Sequence, residues 1–158
     1  MGQGSKFDSA LSTKGGRSNF ITGSDIALGD KLAKEILSEM KKEGIKFSKD
    51  KIVFVAKLEN GNKIFLESGG VEHIMNRHGK QFEQTFGTKA KEAITNVLCE
   101  TISKGKLVSS NYREINGVTY YSNKYYYNGK YCVVYGISEN GYIETAYSVN
   151  NNGGKNNG

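Results

Sequence analysis

Three Asn-Gly dipeptides divide the C-terminal part of the chain into segments of similar length, and they constrain its fold more than any other feature. They are Asn116-Gly117, Asn128-Gly129 and Asn140-Gly141, and β-branched and aromatic residues fill the segments around them. Asn-Gly favours a two-residue hairpin turn because both turn positions need a positive φ. The pattern therefore predicts four antiparallel strands. Their predicted ranges are about 107–115, 118–127, 130–139 and 142–149.

The N-terminal half begins with a helical pattern and continues with a hairpin pattern. Apolar residues at helical spacing predict a helix that is capped by Ser24 and ends near Gly44. These apolar residues are Leu28, Leu32, Ile36, Leu37 and Met40. Asn60-Gly61 then separates Ile52–Leu58 from Lys63–Glu67, which predicts a β-hairpin.

Two further helices are predicted before the meander. A short helical segment lies within residues 70–87, and an amphipathic helix covers Thr88–Lys104. Helices and a hairpin followed by consecutive antiparallel strands indicate an α+β fold. We expect N-terminal helices packed on a four-stranded or larger antiparallel β-meander.

Length and composition predict one domain. The chain has 158 residues, and residues 24–149 form the predicted domain, with a core over about 50–149. Residues 1–23 are rich in Gly, Ser, Lys and Asn, which predicts a flexible leader or linker. The Asn/Gly-rich residues 150–158 predict a disordered tail. No apolar run approaches the ~20 residues of a membrane span, so no membrane insertion is expected.

The charge balance favours a partner that carries phosphates. Lys and Arg outnumber Asp and Glu by 22 to 16, which gives a net charge of +6. A metal-dependent nuclease needs clustered carboxylates, whereas the acids here are scattered and Asp is absent after residue 50. The two cysteines and two histidines also lack the paired spacing of a zinc site. We therefore predict no metal and no cofactor.

Both histidines lie in one segment, His73-Ile-Met-Asn-Arg77-His78. On a helix His73 and Arg77 share a face, because they are four residues apart. Imidazole can accept and donate a proton near neutral pH, and Arg77 can neutralise a phosphate. RNA cleavage by attack of a 2′-hydroxyl needs such a base, acid and cation. A structural histidine at position 78, bonded to backbone, remains an alternative.

The predicted register separates two faces of the meander. One face carries Tyr121, Asn123 and Tyr125 together with Thr145 and Tyr147, and Gly136 lies opposite Thr145 on it. Stacking rings with polar neighbours suit nucleotides, so we predict that the first three residues bind substrate. The alternative is that the tyrosines only pack across strands. The long helix is expected on the other, more apolar face, which carries Ile115, Val118, Tyr120, Val133, Tyr135, Ile137 and Ala146.

Three features in this order resemble a known superfamily. They are the His73–His78 segment, the helix before Gly105, and the final motif Gly141-Tyr-Ile-Glu-Thr145-Ala-Tyr147. Over about residues 50–149 the chain resembles the superfamily that groups barnase, EndoU, colicins E5 and D and RelE (the BECR fold). It looks most similar to the C-terminal toxin domains of contact-dependent inhibition and other polymorphic toxin systems.

The resemblance implies a metal-independent ribonuclease toxin, often acting on tRNA and neutralised by a cognate immunity protein. It implies delivery by a larger secreted carrier and action in the target-cell cytoplasm. His73 or His78 would act as acid or base, and Arg77 would contact the phosphate. Thr145 would hydrogen-bond the phosphate, and Tyr147 would donate a proton or stack on a base. The alternatives are a non-catalytic nucleic-acid-binding module, or a toxin of this type acting on DNA or a nucleotide.

Overall fold

The computed structural model describes residues 5–87 and 90–149, and it combines helices with antiparallel sheets. The α+β prediction is confirmed at this level. The helices are α1 (Gly23–Ala27), α2 (Lys31–Lys42), α3 (Ser68–Phe86) and α4 (Lys91–Lys104). The first five strands are β1 (Thr13–Lys14), β2 (Arg17–Ser18), β3 (Phe20–Thr22), β4 (Ile52–Lys57) and β5 (Lys63–Glu67). The last four are β6 (Lys106–Ile115), β7 (Val118–Tyr127), β8 (Lys130–Ile137) and β9 (Thr145–Val149).

The predicted helix from Ser24 to Gly44 is two helices, and its predicted cap is wrong. Thr22 caps α1, because its hydroxyl accepts from the Asp25 amide while the Asp25 carboxylate accepts from the Thr22 amide. Asp30 caps α2 by accepting from the Ala33 amide. Both helices lie on the three-stranded sheet β3-β4-β5, where their apolar side chains form one core cluster.

The predicted flexible leader over 1–23 is wrong for residues 5–22. Strand β3 adds to the β4–β5 hairpin, with Ile21 opposite Val55, and Ile21 is fully buried. Phe7 is also buried, with its ring edge-on to Tyr121 at 5.1 Å. The sequence does not reveal this structure because the segment has few apolar residues, although Phe7 and Ile21 are buried. The predicted tail 150–158 lies outside the described residues.

Strands β6, β7, β8 and β9 form the predicted antiparallel sheet in sequence order. Two hairpin turns are confirmed: Asn116 and Asn128 have φ values of 52° and 53°, and a positive-φ glycine follows each. The third turn prediction is wrong, because β8 ends at Ile137 and β9 begins at Thr145. The Phe65 amide instead donates to the Gly141 carbonyl at 2.8 Å, which ties the β8–β9 connection to β5.

A bulge and a register shift change the predicted faces. Tyr121 pairs with Ile137 and Asn123 pairs with Val134, so β8 contains one more residue than β7 between these two pairs. This extra residue forms a β-bulge in β8, within which Gly136 has φ +70°. Thr145 pairs with Tyr135 instead of Gly136, which corrects the predicted register by one residue. A shift of one residue moves every side chain of β9 to the other face.

The side of the sheet that packs on the helices is also opposite to the prediction. The buried face of the sheet joins α3 and α4 in a single core cluster with part of the first sheet. From the sheet it contains Tyr121, Tyr125, Cys132, Val134, Ile137 and Ala146. Of the residues predicted to face the long helix, only Ile137 and Ala146 belong to this cluster, while Val118 is 46% exposed. The other face, called the outer face below, carries Lys106, Arg113, Lys124, Tyr126, Tyr131, Tyr135, Thr145 and Tyr147.

Candidate functional site

All five predicted catalytic residues line one cleft between α3 and the end of the four-stranded sheet. The cleft has a volume of about 230 Å³. Its lining residues are His73, Arg77, His78, Tyr135, Glu144, Thr145 and Tyr147. The fold thus brings together two segments that are far apart in sequence.

Hydrogen bonds around Ser148 hold β9 against α3. The Ser148 hydroxyl donates to the Gln81 carbonyl at 2.9 Å, and it lies 2.9 Å from the Thr85 hydroxyl. Neighbouring side chains of a strand point to opposite faces, so Tyr147 points away from this buried contact. Its ring lies 5.6 Å from that of His78. The hydrogen bonds of Ser148 therefore fix the position of β9 relative to His78.

Two polar atoms of the cleft are buried without a partner. His78 Nδ1 and Thr145 Oγ1 find no hydrogen-bond partner among the described residues. Buried polar groups in proteins are nearly always paired, and an unpaired one costs about 1–3 kcal/mol. The two atoms belong to residues on the two walls of one cleft, which makes both candidates for hydrogen bonds to a ligand.

His78 is biased toward the neutral form. Burial lowers the pKa of its imidazole below the ordinary 6.5, and the positive charges of Arg77 and His73 lower it further. Hydrogen bonding with Gln81 acts in the opposite direction. A neutral imidazole at neutral pH can accept a proton, which is what a general base requires.

Tyr147 is biased toward its protonated form. Burial and the neighbouring Tyr135 hydroxyl raise its pKa above the usual 10.0. Arg113 Nη2 donates to the Tyr135 hydroxyl at 2.6 Å, and the rings of Tyr135 and Tyr147 are 6.2 Å apart. The cleft thus presents a phenol that can donate a hydrogen bond beside an imidazole that can accept one.

The sequence analysis missed two lining residues, Tyr135 and Glu144. The sequence pattern predicts Tyr135 on the face that packs on the helices. That face is the outer one, and the register of β9 places Thr145 opposite Tyr135 on it. Glu144 directly precedes Thr145 in the final motif, and this position is the sequence signal that could have placed it at the cleft. Its carboxylate approaches the bulge: a Cβ at Gly136 would lie 2.8 Å from Glu144 Oε1. Glu144 is the one acid among the residues that line the cleft.

The prediction that Tyr121, Asn123 and Tyr125 bind substrate is wrong for this fold. Tyr121 and Tyr125 are 9% and 4% exposed, and Asn123 is completely buried. The Asn123 amide donates to the Phe7 carbonyl and to the Tyr125 hydroxyl, each at 3.0 Å. Asn123 and Tyr125 form a polar network inside the core, because their face of the sheet meets the helices.

Other chemistries find less support in the residues present. Among residues 5–87 and 90–149, no three side chains of His, Cys, Asp or Glu are grouped so that they could hold a metal ion. Burial raises the pKa of Cys99 to about 11 and that of Cys132 to about 12. Both thiols therefore remain protonated at neutral pH, and a thiol is a poor nucleophile.

Comparisons with known proteins return no relative. No family model, no curated protein and no solved structure matches this chain. In the described part of the chain, no helix combines the length and apolar character that a membrane crossing requires.

Proposed function

We propose that this chain is an endoribonuclease that cleaves RNA by metal-independent acid–base transesterification. One observation carries the proposal: His78 and Thr145 line a single cleft with His73, Arg77 and Tyr147, and their Nδ1 and Oγ1 atoms are buried and unpartnered. This set contains the base, the acid and the phosphate-binding groups that the reaction needs.

The roles follow from protonation and exposure. Neutral His78 takes the proton of the 2′-hydroxyl, and the 2′-oxygen then attacks phosphorus. The bond from phosphorus to the 5′-oxygen breaks, and His73 or Tyr147 gives that oxygen a proton. The products are a 2′,3′-cyclic phosphate and a free 5′-hydroxyl. Arg77, which is exposed at the mouth of the cleft, and the Thr145 hydroxyl bind the phosphate oxygens as charge develops.

The biological setting that we propose follows from the motif resemblance. The chain acts as a toxin domain, with tRNA as the expected substrate and the BECR fold as the expected architecture. A larger secreted carrier delivers it, it acts in the target-cell cytoplasm, and a cognate immunity protein neutralises it. The net charge of +6 suits a polyanionic substrate.

Incubation of purified protein with total bacterial RNA in EDTA tests the proposal. We expect discrete fragments from the wild type on a denaturing gel, and none from His78→Ala. Tyr147→Phe should abolish cleavage if Tyr147 is the acid and retain it if His73 is. Asn76→Ala is the matched control, since Asn76 is exposed on the same helix and does not line the cleft. Intact RNA in every lane, with folded protein, would contradict the proposal.

Substrate profiling separates the alternatives. Cleavage of single-stranded DNA, which lacks the 2′-hydroxyl, would exclude the mechanism above. RNA binding without cleavage, unchanged in His78→Ala, would instead identify a nucleic-acid-binding module. Expression in a bacterial host tests the setting: wild type should stop growth, and His78→Ala should not.

A further inference from the structure

Tyrosines form a path across the outer face that ends in the cleft. The rings of Tyr126 and Tyr131 lie 5.0 Å apart, and Tyr131 is four residues from Tyr135 along β8. Between them Val133 pairs with Tyr147 of β9. The rings of Tyr135, Tyr147 and His78 then follow at 6.2 and 5.6 Å. Aromatic rings thus lie at intervals along the outer face, from the far end of the sheet to the imidazole.

Cationic side chains lie beside this path, and the described strands that form it carry no acidic residue on the outer face. Lys106 lies directly opposite Tyr126, Lys124 Nζ stands 5.1 Å from the centre of the Tyr131 ring, and Arg113 bonds Tyr135. Within the described strands β6–β9, Glu114 is the one acidic residue. Glu114 pairs with Thr119, which places it on the opposite face. The outer face of these strands therefore carries three cations and no carboxylate.

We infer that the outer face binds a single-stranded stretch of RNA and leads it into the cleft. The inference rests on the proposed function and identifies its substrate as an unpaired segment. Bases of an unpaired strand stack on the rings of Tyr126, Tyr131 and Tyr135. Its phosphates contact Lys106, Lys124 and Arg113. Stacking needs an open base face, whereas the bases of a duplex are already stacked on each other.

The exposure of these side chains supports the assignment. Tyr126 is 40% exposed, and Tyr131 and Tyr135 are half-buried, so their rings are held in place but remain accessible. The lysine over Tyr131 and the guanidinium at Tyr135 make cation–π contacts. A bound base can share such a ring while its phosphate meets the cation beside it.

Binding is measured by fluorescence anisotropy in EDTA, with His78→Ala as the background so that no RNA is cut. The probe is a fluorescein-labelled oligouridine of about twelve nucleotides, a length within the range that one such domain covers. Tyr131→Ala combined with Tyr126→Ala should weaken binding by about tenfold or more. Lys124→Ala should lower the slope of log affinity against log salt by about 0.7, the value expected for one phosphate neutralised on a single strand. A blunt RNA duplex of the same length should bind more weakly than the single strand.

Matched substitutions serve as controls. Tyr112 is an exposed tyrosine of the same sheet whose ring neighbours that of Tyr121, on the opposite face, so Tyr112→Ala should bind like the parent. Lys42→Ala removes an exposed cation from α2 and should leave the salt slope unchanged. Circular dichroism and thermal melting verify that each variant is folded.

The outcomes separate this inference from the proposed function. If the wild type cleaves RNA but the tyrosine double variant binds like Tyr112→Ala, the outer face is not the binding surface and the inference is overturned. Preferential binding of the duplex also overturns it. If no RNA is cleaved but single strands bind to the parent and not to the double variant, the inference stands and the proposed ribonuclease activity fails.

Discussion

Replacement of Thr145 by valine should stabilise the protein and reduce its activity. Thr145 is 7% exposed in strand β9, and its hydroxyl is buried without a partner among the described residues. Valine keeps the β-branched shape that a strand favours and removes only the hydroxyl. A buried unpaired polar group costs about 1–3 kcal/mol, so we expect a gain of about 1 kcal/mol in the free energy of unfolding.

For a domain of this size, such a gain raises the melting temperature by about 2–4 °C. Without a hydrogen-bond donor to the charge that develops in the transition state, kcat/KM should fall by about 10²-fold or more. Urea unfolding and initial rates of RNA cleavage measure the two effects. Thr119→Val is the control, because Thr119 lies on the same sheet, is partly exposed and does not line the cleft. Its stability should stay within about 0.5 kcal/mol of the wild type, with unchanged activity.

Two results would refute the reasoning on Thr145. A loss of stability in Thr145→Val would mean that its hydroxyl has a partner in solution and is not held ready for a ligand. Unchanged cleavage by a stabilised variant would mean that the hydroxyl is unpaired but does not contact the phosphate.

Four further predictions concern His78, the buried network and the sheet connection. The positive charge of Arg77 helps to hold the pKa of His78 below 6.5. Arg77→Gln should therefore raise the pKa of His78 in an NMR titration, and a lower pKa would contradict the electrostatic argument. His78 binds fewer protons in the folded chain than in the unfolded chain, because folding lowers its pKa. The free energy of unfolding should therefore increase as the pH rises from this lowered pKa to 6.5. His78→Gln should remove this pH dependence from the urea midpoints. Asn123→Ala breaks the buried network and should lower the free energy of unfolding in urea by about 2–3 kcal/mol, while the folded protein still binds RNA. A change within about 0.5 kcal/mol would show that the network is not needed for stability. Gly141→Ala drives a Cβ into the Lys63 carbonyl oxygen, so the strand connection must move, whereas Gly129→Ala meets nothing within 4 Å. Thermal melting should therefore show a much larger loss of stability for Gly141→Ala, and equal losses would contradict the packing at this connection.

Local signals in the sequence predict the elements well, because turn chemistry and periodicity are local. Asn116-Gly117 and Asn128-Gly129 adopt the positive φ values that such turns require, and the strands on either side follow. Asn140-Gly141 carries the same signal but adopts another structure, since Gly141 bonds to β5. A partner 76 positions away in sequence is not visible in a local pattern.

The faces of the sheet are harder to predict, because tyrosine suits either side of a sheet. Its ring is apolar and its hydroxyl needs one partner, which Tyr125 finds in Asn123 inside the core. The bulge at Gly136 and the register of Thr145 then decide which residues share a face. The sequence nevertheless predicts the main residues of the cleft, because the resemblance depends on two short motifs, His73–His78 and Thr145–Tyr147, and residues of both line it.

The two walls of the cleft come from opposite sides of an exposed turn. Residues before Asn128-Gly129 supply the histidines and Arg77, and residues after it supply Thr145 and Tyr147. Exposed turn tips of this kind tolerate chain breaks. A chain cut there would yield two fragments, each with one wall's residues and neither with a cleft. With the proposed ribonuclease activity, such fragments would form a split enzyme, in which RNA cleavage reports that two molecules fused to them have met.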